Sequence, residues 1–297
     1  CVIVGFGLQD VAEKTIFEYE DIKGEALAVP VSNINPYLVD APDLVLEKRN
    51  QPICIVPTIS YGSMANDDGH LLLDKEQRNA LIAAEPATAP YIRRYMGAQE
   101  FLNNAERWCL WLKDISPSLM RSSNELRHRI EAVRKFRASS NREATRNLAA
   151  TPSLFGEDRQ PLKSYLLLPK VSSENRPYMP IGFMPSEVIA NGSALTISDS
   201  GHYEMGVLQS KMHMAWMRAV AGRMKSDYQY SAQIVYNNFP WPDIPEKLEP
   251  NQPQTPTHKA QAAIEKAAQA VLDARAQFPG SSLADLYDPL TMPPALL

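Results

Sequence analysis

At 297 residues the chain can bury a sizeable core and hold one large domain or two smaller ones. Apolar residues at 44% and charged residues at 22% lie near globular averages, which argues against disorder; no apolar run approaches the roughly 20 residues of a membrane helix. The net charge of −4 is unevenly spread: residues 117–150 hold eight Lys and Arg against three Glu, a local balance of +5 that leaves −9 for the rest.

The chain opens on an apolar, strand-like run, Cys1-Val2-Ile3-Val4, with no basic leader. A start in mid-strand without an initiator Met implies an excised fragment, and the setting is expected to be the cytoplasm, with no membrane partner. Cys1, Cys54 and Cys109 are odd in number and lie in apolar segments, as buried free thiols in a reducing compartment would.

A second short strand is expected before Glu20, then a loop-rich region to Pro90 punctuated by Pro30, Pro36, Pro42, Pro52, Pro57, Gly62 and Gly69, with short helices at most. Tyr91 to Met96 and Trp108 to Leu112 suit buried strands. Leu126, Ile130, Val133 and Phe136 then recur at helical spacing, with Arg127, Arg134, Lys135, Arg142 and Arg146 sharing another side of the wheel. Ser139-Ser140-Asn141 is a candidate break, because Ser140 and Glu143 have capping-box spacing. Tyr165 to Leu168 and Met179 to Phe183 predict a hairpin around a polar loop. A helix over Met205 to Met224, an extended piece from Lys225 to Asn238, a proline-rich linker from Pro240 to Pro256 and an Ala-rich helix from Thr257 to Gln277 complete the chain.

Several motifs resemble chemistry without supplying it. Gly5-Phe6-Gly7 lacks the third glycine of a nucleotide-binding loop and is better read as a strand end. Asn35-Pro36-Tyr37 is one proline short of the Asn-Pro-Pro-Tyr loop of amino-methyltransferases. The five histidines have no ligand spacing, and Ser198 to His202 gathers triad residue types in one polar loop, whereas a working triad draws on distant segments. No catalytic, cofactor-binding or metal residue is assigned.

Three features suit a nucleic-acid partner. In an extended chain Lys225, Asp227 and Gln229 project to one face, presenting a donor, an acceptor and an amide in a row. Such groups can read guanine, cytosine and adenine edges in the major groove; an ordinary solvated strand face with an i,i+2 ion pair is the competing reading. The basic helix, with Arg127, Arg134, Lys135 and Arg142, would neutralise phosphates or simply face water. The loop carrying Lys170, Ser173, Asn175 and Arg176 would enter a groove or merely close a hairpin.

Longer stretches carry a resemblance. The run from Arg93 to Phe101, Arg107 to Leu112, LLLPKVSSENRPYMPIGF (Leu166 to Phe183), HMAWMRAVAGRMKSDYQYSAQIVYNNFPWP (His213 to Pro242) and the tail LADLYDPLTMPPALL together resemble the MmeI-like (type IIG/IIL) restriction-modification DNA methyltransferases. That family fuses a nuclease, a helical connector, an adenine methyltransferase and a target-recognition domain. The resemblance implies an α+β mixed-sheet recognition domain over 25–245, preceded by the end of a methyltransferase domain (1–24) and followed by a C-terminal helical region (246–297). It further implies a parent enzyme using S-adenosylmethionine and Mg²⁺, whose motifs lie outside this chain, with double-stranded DNA and the parent's own methyltransferase domain as partners. Lys225 and Asp227 stand at the family's base-specifying positions, with Gln229 beside them. The rivals are a small transferase built on the Gly5 or Asn35 loops, and a protein-interaction or structural module with no base reading.

Overall fold

The computed structural model describes residues 3–21, 23–243 and 255–296; Cys1, Val2 and most of the proline-rich linker lie outside them. Ile3 to Gly7 holds no strand, contrary to expectation, and Ile3, Phe6 and Leu8 are exposed. The first strands are β1 (Lys14–Glu18) and β2 (Leu27–Val31), an antiparallel pair with Lys14 opposite Val31.

β3 (Ile59–Tyr61) and β4 (Leu72–Leu73) follow, then a ten-residue helix, α1 (Lys75–Ala84), inside the stretch expected to be loop. Its start was legible: Asp74 accepts from the Gln77 amide while the Gln77 side chain accepts from the Asp74 amide. Next come β5 (Ile92–Met96), α2 (Ala98–Asn103), β6 (Trp108–Leu110) and α3 (Pro117–Ser122), and then the basic helix α4 (Asn124–Ala138). Ser123 caps α4, and the Glu85 carboxylate accepts from Ser123 Oγ and the amides of Asn124 and Glu125, placing negative charge at the helix N-terminus. α4 does stop before Ser139, but the reason is not a capping box. Ser140 Oγ accepts from Arg142 N, and α5 (Glu143–Asn147) begins without a side-chain cap.

The remaining elements are β7 (Tyr165–Pro169), β8 (Val171–Ser172), β9 (Gly182–Met184), β10 (Ile189–Ala190), β11 (Ala194–Ser198), α6 (His202–Leu208), α7 (Lys211–Val220), β12 (Gly222–Met224), β13 (Asp227–Gln229), α8 (Pro256–Ala276) and α9 (Leu283–Leu286). The single helix expected from Met205 to Met224 is two: Gln209 leaves helical geometry, and Ser210 caps a new helix through the His213 amide. The mixture of sheets and helices is the expected α+β class.

Two sheets organise the cores. In the antiparallel sheet β3-β11-β7-β9, Leu166 and Leu168 face one core while Tyr165 and Leu167 face another. Burial on both faces explains why β7 reads as an unbroken apolar run rather than an alternating one. The first core also takes Met205, Leu208, Met214 and Met217 from α6 and α7. The mixed sheet β10-β5-β6-β4 packs on Leu126, Ile130 and Val133 of α4, each worth ~1.5–3 kcal/mol of burial. Gly62 lies where these sheets meet: a Cβ there would come 2.3 Å from Asn191 O and 2.7 Å from Ala190 C, so any side chain would force backbone apart.

The C-terminal helix docks on the first core. Gly206 of α6 sits against Ile264 of α8, where a Cβ would approach Ile264 Cγ2 to 2.6 Å. Arg275 Nη1 donates to Ile181 O at 2.6 Å, and Gln209 Nε2 donates to Met179 O and Tyr287 Oη at 2.8 Å each.

Candidate nucleic-acid interface

The extended segment after α7 is a hairpin. Gly222, Arg223 and Met224 oppose Gln229, Tyr228 and Asp227, and Lys225-Ser226 forms a two-residue turn. Lys225 has φ +58°, the sign that such turns require at their first central position and that glycine usually supplies. The expected three-residue stripe is therefore altered. Asp227 and Gln229 share a strand face, but Lys225 stands at the hairpin tip, exposed. Among the described residues no ion pair joins Lys225 to Asp227.

β13 has a second neighbour. Tyr228 opposes Ser172 and Gln229 opposes Val171 of β8, and Tyr230 N donates to Lys170 O at 2.8 Å. This pairing brings the polar loop alongside the hairpin, a proximity across more than fifty residues that no local pattern encodes. Within the loop, Ser173 Oγ accepts from Asn175 N, Arg176 N donates to Ser173 O, and Arg176 Nη1 donates to Ser172 Oγ at 3.4 Å. Glu174 and Asn175 are exposed, and Lys170 lies 5.3 Å over the Tyr61 ring.

The basic segment divides. Arg137 is fully buried, and Arg129 is tied to Glu125 and to the carbonyl of His70, so neither faces a ligand. Arg127, Arg134, Lys135 and Arg142 are exposed. Arg127 reaches Asn124, and Arg134 lies 3.4 Å from Glu131 in a solvated pair of small energetic weight. α4 packs on the core of the mixed β10-β5-β6-β4 sheet and the hairpin on the first core, so the basic helix and the hairpin rest on different cores. Two of the motifs noted above form local turns. Asn35 Oδ1 accepts from the amides of Tyr37 and Val39 in its own turn, and Ser200 Oγ donates to Ile197 O beside Asp199 at φ +52°. Among the described residues no three His, Cys, Asp or Glu side chains gather as metal ligands would. Cys109 is buried as expected, and burial pushes its thiol up; Cys54 is only half-buried.

The family described as "MmeI, target recognition domain" matches residues 40–243, more than two-thirds of the chain. The chain belongs to this MmeI family. The family described as "MmeI, C-terminal domain" matches residues 256–297. A Bacillus subtilis (strain 168) protein named "DNA methyltransferase A" is 36% identical over 293 residues, which cover 98% of this chain and 31% of that protein. A solved structure described as "Structure of Type IIL restriction-modification enzyme MmeI in complex with DNA has implications for engineering of new specificities" superposes with a TM-score of 0.89 at 45% identity. It covers 98% of this chain and 37% of that one, so the chain spans about a third of the relatives it matches.

The hairpin, the polar loop and α4 all fall within the MmeI recognition-domain match, and α8 and α9 within the C-terminal match. Arg176 links the two regions electrostatically: burial holds its guanidinium below the usual range, while the carboxylates of Asp288 and Asp227 pull the other way. At the end of β13, Tyr230 is buried with its hydroxyl 2.9 Å from Nε2 of His213, which also packs edge-on against Phe239 at 4.5 Å. Phe239 and Trp241 are buried, their ring centroids 5.7 Å apart.

Burial pushes His213 down to about 3. Its unfolded value is about 6.5, so at intermediate pH the unfolded chain holds the extra proton. The stabilisation is complete above about pH 6.5 and declines by about 1.4 kcal/mol per unit as pH falls toward about 3. Urea unfolding is expected to show wild type losing about 2 kcal/mol more than His213→Phe between about pH 6.5 and about pH 5. Equal pH slopes would mean that His213 protonates readily in the folded chain.

Proposed function

We propose that the chain is the sequence-reading part of a longer restriction-and-modification polypeptide, docking on double-stranded DNA and discriminating base pairs in the major groove. The observation that carries this reading is the hairpin: its tip runs past the β8 pairing at Tyr228 and Gln229 as a two-stranded ribbon, of a size the major groove admits, with Lys225 at the turn and Asp227 and Gln229 on one face. Lys225 can donate to guanine O6 and N7, Asp227 can accept from cytosine N4, and Gln229 can bond adenine N6 and N7. Lys170, Ser173, Asn175 and Arg176 line the flank of the same ribbon. Arg127, Arg134, Lys135 and Arg142 contact phosphates, which set register and carry salt dependence but no sequence information. The DNA in the description of the MmeI structure supports this partner.

In this reading residues 1–24 end a methyltransferase domain, 25–245 recognise the site, and 246–297 brace it. S-adenosylmethionine and Mg²⁺ serve the parent through regions outside this chain, for adenine N6 methylation and DNA cleavage in the cytoplasm. A methyltransferase must flip its target base out of the stack, and the recognition region holds the remaining duplex while that occurs.

Duplex binding by the whole polypeptide as a function of salt tests the docking. Neutralising Arg127, Arg134, Lys135 and Arg142 to Gln is expected to weaken binding to every duplex and to flatten log K against log salt by about 0.9 for each phosphate left without its cation. A wild-type polypeptide that ignored duplex at low salt would leave the protein-interaction reading in its place.

A further inference from the structure

Arg223 is exposed, yet its guanidinium is held within the hairpin by two contacts. It lies 3.9 Å from the centroid of the Tyr228 ring, its cross-strand partner, and Nη1 donates to Ser226 O at 2.8 Å. Among the described residues it pairs with no carboxylate. Tyr228 is 5% exposed and belongs to the first core. A continuous line of contacts therefore runs from that core through Tyr228 and Arg223 to the hairpin tip. The Ser226 carbonyl belongs to the peptide that leads into Asp227, and on its other side stands Lys225 at φ +58°. A non-glycine residue in that region is strained by roughly 1–2 kcal/mol, so a Lys-Ser turn needs an outside hold to keep one geometry. Hydrogen-bond reading of base edges tolerates only about 0.5 Å of displacement.

We propose that Arg223 is a positioning residue for base discrimination: by stacking on Tyr228 and holding the Ser226 carbonyl, it fixes the spacing of Lys225 and Asp227. This rests on the recognition role proposed above and adds a residue that reads no base itself. The competing role, a phosphate contact, differs in what it requires. A phosphate contact needs charge, which lysine retains. The hold needs a planar fork that can stack and donate at once, which lysine lacks.

The test uses Arg223→Lys and Arg223→Gln in the whole polypeptide, with methylated sites mapped in genomic DNA and duplex binding measured against salt. Both variants are expected to lose roughly tenfold in discrimination at the base pair read by Lys225 and Asp227, with the salt slope retained. Wild-type discrimination in Arg223→Lys, together with a slope lower by about 0.9 in Arg223→Gln, would overturn the proposal in favour of a phosphate contact. Exchanging the charges of Lys225 and Asp227 separates the two levels. If that exchange moves the methylated site while Arg223→Lys keeps full discrimination, the positioning role alone has failed. If the exchange moves nothing, the base-reading role has failed first.

Discussion

Replacement of Arg137 by methionine is expected to destabilise the protein by about 3–5 kcal/mol. All five guanidinium N–H groups are used: Nε donates to Asn66 O at 2.9 Å, Nη1 to Leu148 O at 3.0 Å and Thr151 O at 2.9 Å, and Nη2 to Ala65 O at 2.8 Å and Leu154 O at 2.7 Å. Among the described residues Arg137 forms no ion pair. Burial pushes the guanidinium down, with Asp67 opposing. The side chain is a charged plug between two loops, in which Ala65 O, Leu148 O and Thr151 O also accept from the amides of Gly156, Thr151 and Leu154. Methionine fills similar volume but takes from Asn66 O and Leu154 O the donor that Arg137 supplies, each a penalty of ~1–3 kcal/mol unless water reaches it. Lysine, with three donors, should fall between. Urea unfolding of the two variants checks this, and a loss under about 1 kcal/mol for methionine would mean that the loops find other partners.

The second large effect concerns specificity. Lys225→Glu combined with Asp227→Arg, in the whole polypeptide, is expected to convert a G·C preference into C·G at one position of the methylated site. Each correct contact discriminates by ~1–3 kcal/mol, roughly 5- to 150-fold. Exchange of donor and acceptor therefore changes which pair is modified rather than whether modification occurs. The tip geometry accommodates the change, because Lys225 is exposed and the strain at φ +58° lies in the backbone, whatever the side chain. Mapping methylated sites in genomic DNA before and after is the measurement. A folded, active variant with the original site would remove both residues from the reading set.

The chain order of buried strands and most of the core face of α4 followed from local pattern, but Phe136, expected on that face, is exposed and Arg137 is buried instead. Apolar runs such as Tyr165 to Leu168 and the spacing of Leu126, Ile130 and Val133 are set by burial of one face or two, a property each segment carries by itself. The long C-terminal helix was equally legible over Thr257 to Gln277, although it starts one residue earlier, at Pro256, with Thr255 as its cap. The hairpin was not. Its turn is Lys-Ser, with no glycine or asparagine to announce it, and its positive φ is held by Arg223 and Tyr228 from the neighbouring strands.

The sequence by itself determined the residue types that can meet DNA, the binary pattern of each element and the family to which the chain belongs. Tertiary structure alone decided which cations are free. Arg129 and Arg137 share a helix with Arg127 and Arg134, yet orphan carbonyls of distant loops claim the first two and leave the others to solvent. It also decided that the loop at Lys170 to Arg176 lies beside Asp227 and Gln229, because an antiparallel ladder pairs β8 with β13. Both outcomes depend on hydrogen-bond partners remote along the chain, and a polar side chain's own surroundings in sequence carry no record of the acceptor that folding will bring to it.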